Sequence, residues 1–146
     1  LIPHPPNFTP VIALSLYLPF IFGIWSIPFC ILGFAVTDYF IGFHSLLIWT
    51  WGALAFTGYT SKFCKKMFSR IVLSFIGAIT FFIISNFGVW ISGTFYEIST
   101  QGLLKCYVMA IPFFTNTLLS TMFFAVIFEL FISSKFYYLI PNLNKK

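Results

Sequence analysis

The chain has 146 residues, of which 60% are hydrophobic and only 8% are charged, whereas soluble domains carry about 25% charged residues. So little polar surface cannot cover a water-soluble globule, and this excludes an ordinary soluble domain. The net charge of +5 comes from basic residues clustered between apolar runs, so we attribute it to membrane topology and expect no binding of nucleic acid.

The first apolar run extends from Phe8 to Thr37 and is interrupted by prolines and by Gly23. One straight helix of this length would exceed the roughly 30 Å hydrocarbon core of a bilayer. We therefore predict two short helices, Pro10–Phe22 and Trp25–Thr37, that turn near Gly23. One long kinked helix is the alternative interpretation of the same run.

Three further apolar segments predict helices over Ser45–Phe63, Ile71–Ile91 and Cys106–Phe131. The predicted fold is therefore all-α, a polytopic transmembrane helix bundle of about five helices that forms a single integral membrane domain over residues 1–146. Because the first residue is not Met and an odd number of helices leaves the start of the chain outside, we expect a sixth helix upstream in the full-length protein.

Basic residues are divided unequally between the two ends of these helices. Seven of the eight Lys and Arg residues fall at one end, here called the basic side: Lys62, Lys65, Lys66, Arg70, Lys135, Lys145 and Lys146. Only Lys105 falls at the opposite end. The positive-inside rule therefore places the Lys62–Arg70 loop and the C-terminus in the cytoplasm and the chain in a bacterial inner membrane.

Polar residues within the apolar segments gather toward the end opposite the basic side. Because polar groups are costly in lipid, we predict that they surround one cavity open to the outer face, lined by His4, Asn7, Asp38, His44, Asn86, Trp90, Tyr107 and Asn116. Asparagine offers a donor and an acceptor together, which suits an uncharged or zwitterionic solute. The alternative is that these side chains only bridge neighbouring helices or form an interfacial aromatic belt.

No residue pattern predicts catalysis or a bound metal. Asp38 and His44 are close in sequence, but a hydrogen bond or solvated loop positions explain this spacing better than a metal site. The three cysteines have no ligand spacing and are read as apolar filler. We expect no enzyme activity, no cofactor and no nucleotide site, so that active transport would require separate ATPases.

Glu129 stands out as an acidic residue near the end of the last apolar segment. Three interpretations stay open: pairing with Lys135, contact with a cytoplasmic partner, and exposure to lipid headgroups.

Four ordered motifs carry a resemblance to a known family. They are HPPNFTPVIALSLY at His4–Tyr17, TDYFIGFH at Thr37–His44, SNFGVW at Ser85–Trp90, and a segment with CY and AIPFFTNTLL at Cys106–Leu119. With them the chain resembles, over nearly its whole length, an uncharacterised bacterial family of proposed membrane transport proteins. The resemblance implies an additional first helix.

That family is similar in layout to the substrate-binding S components of energy-coupling factor transporters. The similarity implies six helices, a vitamin or metal bound from the outer side, and docking on a coupling membrane subunit with two ATPases. S components often carry an AxxxA pattern on their first helix, and no clear copy occurs in this sequence. This second likeness is one of fold layout.

Two functions follow from these observations. The first is a transport subunit that captures a small solute, vitamin-like or metal, and it predicts a polar-aromatic cavity into which Asn86 and Asn116 point. The second is a non-transporting scaffold resembling the membrane subunit of the cell-shape machinery, and it predicts a filled bundle whose polar groups are bonded between helices.

Overall fold

The computed structural model describes residues 5–42 and 46–133. In this part of the chain there are five α-helices and no strand: α1 (Val11–Phe22), α2 (Ile27–Ile41), α3 (Leu47–Thr60), α4 (Met67–Ile91) and α5 (Thr100–Ser133). The all-α prediction with five helices is confirmed.

The first apolar run contains two helices and not one. Gly23 ends α1 with φ +92°, a conformation that side-chain-bearing residues rarely adopt. A short 3-10 turn over Ile24–Ser26 then leads into α2. α2 continues to Ile41, so Asp38 lies in its last turn, whereas the predicted helix ended at Thr37.

α4 and α5 both begin earlier than expected, each because of a serine. The Ser69 hydroxyl accepts a hydrogen bond from the backbone N–H of Lys66 at 3.0 Å, which fixes the start of α4. The Ser99 hydroxyl accepts one from the N–H of Gly102 at 3.1 Å and thereby caps the first turn of α5.

α4 and α5 form an antiparallel hairpin. Arg70 at the start of α4 contacts Glu129 near the end of α5, and the Cys106 thiol near the start of α5 donates to the carbonyl of Asn86 at 3.4 Å. Tyr17 of α1 also contacts Glu129, so α1 lies against the hairpin. The ends of α1 and α5 therefore meet the start of α4 at the basic side.

Glycines on α4 let α3 approach closely. A methyl group at Gly77 would come within 2.7 Å of the Thr57 side chain, and one at Gly88 would overlap the indole ring of Trp49. Thr57 and Trp49 of α3 thus pack directly against the two glycines, and a larger residue at either position of α4 would collide with them.

Two helices, α4 and α5, are long and apolar enough to cross a membrane within the part of the chain that the structure describes. They have 25 and 34 residues, whereas α1, α2 and α3 have 12, 15 and 14 residues. The finding fits membrane association, while five membrane-spanning helices remain a prediction.

Candidate functional site

A cavity of about 150 Å³ lies between α4 and α5, beside the segment that precedes α1. Asn7 contributes from that segment, and the helices contribute Phe81, Phe82, Ser85, Asn86, Ala110, Phe113, Phe114 and Thr117. None of these lining residues is ionisable. The cavity is therefore neutral, with polar atoms between aromatic walls.

The spacing of these residues explains why they meet. On α4 the phenylalanines at 81 and 82 lie one turn before Ser85 and Asn86, so each polar side chain shares a helix face with a ring. On α5, Ala110, the phenylalanines at 113 and 114, and Thr117 follow the spacing of a single helix face. Antiparallel packing then places the two faces opposite each other.

Polar side chains in the cavity bond mainly to their own helices. The hydroxyls of Ser85 and Thr117 donate to carbonyls four residues earlier at 2.7 and 3.0 Å. The Asn86 amide N–H donates to the carbonyl of Phe82 at 2.8 Å. Among the described residues no donor is bonded to the side-chain oxygen of Asn86, so this acceptor is not used within that part of the chain.

Asn7 enters the cavity from an unusual backbone position. Its φ is +61°, which is uncommon for a residue other than glycine but is tolerated by asparagine. The segment around it is held on α5, because the amide of Asn116 donates to the carbonyl of Pro6 at 3.1 Å. The predicted site residue Asn116 thus fastens the segment that supplies Asn7.

The structure brings two of the eight predicted site residues, Asn7 and Asn86, together in the cavity. Two other predicted site residues, Tyr107 and Trp90, are hydrogen-bonded to backbone carbonyls. The Tyr107 hydroxyl donates to the carbonyl of Ile83 at 2.7 Å, and the Trp90 indole N–H donates to the carbonyls of Glu97 and Ser99. The predicted contributions of His4 and His44 lie outside the described residues.

Asp38 lies apart from the cavity. Its side chain is buried between α2 and α3, and its carboxylate accepts a hydrogen bond of 2.8 Å from the indole N–H of Trp51. Since the residues that line the cavity do not include Asp38, the cavity and this pair are two separate polar features.

A second polar cluster, which we call the ion-pair cluster, consists of Tyr17, Arg70 and Glu129 at the basic side. The Arg70 guanidinium donates to both carboxylate oxygens of Glu129 at 2.6 Å, and the Tyr17 hydroxyl donates to one of them at 2.7 Å. Arg70 and Glu129 are only 8% and 5% exposed. The carboxylate is thus fully bonded within the protein.

Sequence reasoning missed this cluster because Arg70 was counted only as a topological charge. The pairing considered for Glu129 was with Lys135, which lies outside the described residues; the structure pairs Glu129 with Arg70. The sequence did contain a signal for this pair. Arg70 and Glu129 have opposite charges and lie at the start of one apolar helix and near the end of the next, and an antiparallel hairpin brings those two ends together.

In the described ranges, no three His, Cys, Asp or Glu side chains converge as metal ligands would. Cys30, Cys64 and Cys106 are unpaired thiols, and the last two are buried. Burial raises the pKa of the Cys64 thiol to about 11, which disfavours the reactive thiolate.

Comparison with known proteins yields one family. The family model described as "Family of unknown function (DUF6580)" matches residues 1–141. No curated protein and no solved structure matches the chain significantly.

Proposed function

Since the chain belongs to the DUF6580 family, whose function is unknown, we propose a function from the geometry of the chain itself. We propose that it is a polytopic membrane protein that binds a small uncharged solute in the cavity between α4 and α5, as the solute-binding subunit of a transport system. The observation that carries the proposal is the neutral cavity, which Asn86 lines together with four phenylalanines.

Helix length supports membrane insertion. At 1.5 Å per residue α4 and α5 are about 37 and 51 Å long, and both exceed a hydrocarbon core of about 30 Å. The shorter α1, α2 and α3 complete the proposed five-helix bundle. Large apolar side chains on the outside support the same proposal, since Trp25, Phe40 and Phe68 are 87%, 80% and 78% exposed.

Orientation follows from the charge count, with the Lys62–Arg70 loop proposed to be cytoplasmic and the chain to lie in a bacterial inner membrane. In a cysteine-free background, an impermeant thiol reagent applied to intact cells should label Gly42→Cys and leave Lys66→Cys unlabelled. Labelling of Lys66→Cys alone would reverse the assignment.

Cavity size limits the solute. A cavity of about 150 Å³ accommodates a molecule of about the size of benzene, whereas sites for drug-sized ligands run from about 300 Å³ upward. The proposed solute is therefore smaller than most vitamins, with on the order of six to ten non-hydrogen atoms. An amide in an aromatic setting favours a neutral ring or short chain that carries a hydrogen-bond donor.

Transport would require partners. The proposed subunit would pass its solute to a coupling membrane subunit energised by ATPases, as the layout of S components suggests. No ionisable residue lines the cavity, so a neutral solute is a better candidate here than the metal that the same likeness also allows.

A scaffold without transport is the second candidate, and the bonding of the polar residues favours it. The amide of Asn116 and the hydroxyl of Tyr107 already donate to backbone carbonyls of other segments. Among the described residues no buried side-chain nitrogen or oxygen lacks a partner. A bundle whose polar groups are used for packing serves assembly as well as binding.

One pair of substitutions separates the two functions. Ala110→Leu fills the cavity, and Asn86→Leu removes an amide from its wall; Thr115→Val on the exposed side of α5 is the matched control. Purified wild type is screened by thermal unfolding against small neutral solutes. A binding subunit loses the solute-induced rise in Tm in both cavity variants and keeps it in the control.

A scaffold gives a different result. Ala110→Leu then raises the Tm without any solute, because it fills an empty cavity, and no solute stabilises the wild type. Solute stabilisation that survives both cavity variants would place the site elsewhere and refute the proposal.

A further inference from the structure

The turn between α3 and α4 carries an exposed basic and apolar surface, here called the lysine turn. Three lysines and three apolar residues are interspersed over positions 62–68, and all six are exposed: Lys62, Phe63, Lys65, Lys66, Met67 and Phe68. Phe63 and Phe68 are 64% and 78% exposed. Exposed phenylalanine rings are unfavourable in water, but rings and cations together suit the interface between the hydrocarbon and the headgroups of a bilayer.

In the part of the chain that the structure describes, no acidic side chain neutralises the positive charge of the lysine turn. The sequence contains three acidic residues, and two of them are committed elsewhere, Asp38 to Trp51 and Glu129 to Arg70. The third, Glu97, lies between α4 and α5 at the opposite end of the bundle. The three lysines therefore form a local excess of positive charge.

Local contacts hold the turn in shape. The Ser69 hydroxyl accepts hydrogen bonds from the backbone N–H groups of Lys65 and Lys66, both at 3.0 Å. The Lys62 ammonium lies 4.0 Å from the ring centroid of Tyr59, a cation–π contact that orients it. The cations are thus presented on an ordered turn and not on a free tail.

We propose that the lysine turn is a binding site for anionic phospholipid headgroups. The lysines bind the negatively charged phosphate of such a lipid, while Phe63, Met67 and Phe68 contact its glycerol and upper acyl region. Free inorganic phosphate has no apolar part that could contact Phe63, Met67 and Phe68. The proposal rests on membrane insertion and is independent of the solute cavity.

Lipid selectivity tests the proposal directly. Full-length protein is reconstituted in phosphatidylcholine vesicles that contain spin-labelled phosphatidylglycerol or spin-labelled phosphatidylcholine, and the motionally restricted fraction of each label is measured. Both leaflets have the same composition, so orientation does not affect the result. Wild type should restrict the anionic label preferentially.

Variants assign the preference to residues. Each basic residue near an anionic surface strengthens binding by about fivefold, so replacing all three lysines by Gln should weaken the site on the order of 100-fold. Replacing them by Arg should retain the preference, because charge and not ammonium geometry is required. Lys105→Gln removes one charge at the opposite end, and unlike Lys65→Gln it should leave the preference unchanged.

The proposal is overturned if the wild type shows no preference for the anionic label, if the Gln triple variant retains the preference, or if Lys105→Gln loses as much of it as Lys65→Gln does. Inorganic phosphate at the ionic strength of a chloride control distinguishes the two phosphate sources. Selective displacement of the lipid by phosphate would make this a phosphate site and would refute the lipid assignment. Unchanged helical circular dichroism shows that the variants are folded.

Discussion

Removing one member of the ion-pair cluster should destabilise the protein more than removing both of its charged residues. Glu129→Leu leaves the buried Arg70 guanidinium without either of its 2.6 Å hydrogen bonds and also deprives the Tyr17 hydroxyl of its acceptor. Because both charged groups are almost fully buried, we expect a loss of about 3–5 kcal/mol in the free energy of unfolding.

The double variant Arg70→Met with Glu129→Leu replaces both charges by apolar groups of similar size. It should lie within about 1.5 kcal/mol of wild type, because a buried pair and a well-packed apolar pair are often equivalent. Tyr17→Phe, which removes only the hydroxyl, should cost about 1 kcal/mol. The Glu97→Leu variant, at an exposed acid outside the cluster, is the matched control.

Reversible unfolding in mixed micelles of increasing sodium dodecyl sulfate content, followed by far-ultraviolet circular dichroism, gives the four free energies of the cycle. The reasoning fails if Glu129→Leu costs no more than Glu97→Leu. It fails equally if the double variant costs the sum of its two single variants, since the charges would then be independent.

Two further predictions concern packing and reactivity. Gly88→Ala should cost about 1–3 kcal/mol because the new methyl group overlaps the indole of Trp49, whereas Gly52→Ala, with open space around it, should be neutral or stabilising in the same micelle assay. Equal effects of the two changes would show that α3 and α4 can move apart at Gly88. Cys64 should react with iodoacetamide in folded protein at pH 8 at least 10-fold more slowly than in denaturant, since a thiol with a pKa of about 11 is only about one part in a thousand thiolate. The alkylation rate of Cys64 should rise as the pH approaches 11. Mass spectrometry of the labelled peptide measures this rate in folded and denatured samples, and equal rates in the two samples would contradict the prediction.

Local signals in the sequence predicted the number of helices and the break after α1. Gly23 supplies a positive φ that only glycine adopts readily, and its place between apolar stretches of helical length made the turn visible. The starts of α4 and α5 were missed because the predicted helices began with the apolar runs at Ile71 and Cys106, and Ser69 and Ser99 lie before those runs. Their capping hydrogen bonds extend each helix toward the N-terminus beyond the apolar run.

The candidate site was harder to predict because the sequence gives the depth of each residue along its helix but not the direction in which its side chain points. Asn86 and Asn116 share a depth, yet one lines the cavity and the other fastens the segment before α1. Which helix face each asparagine occupies relative to the phenylalanines depends on the rotation of α4 against α5. That rotation is set by packing across the whole hairpin, and no single motif encodes it.

The hydrogen bonds of the ion-pair cluster join residues that are synthesised at different times. Arg70 and Glu129 are 59 residues apart, so at 5–20 residues per second Arg70 is synthesised about 3–12 s before Glu129. Tyr17 is made earlier still, 112 residues before Glu129. Until α5 arrives, Arg70 can remain solvated because it lies in the first turn of α4 beside the lysine turn. The basic side therefore cannot close before α5 has been synthesised, and a ribosome stalled before Glu129 leaves Arg70 and Tyr17 without their shared partner.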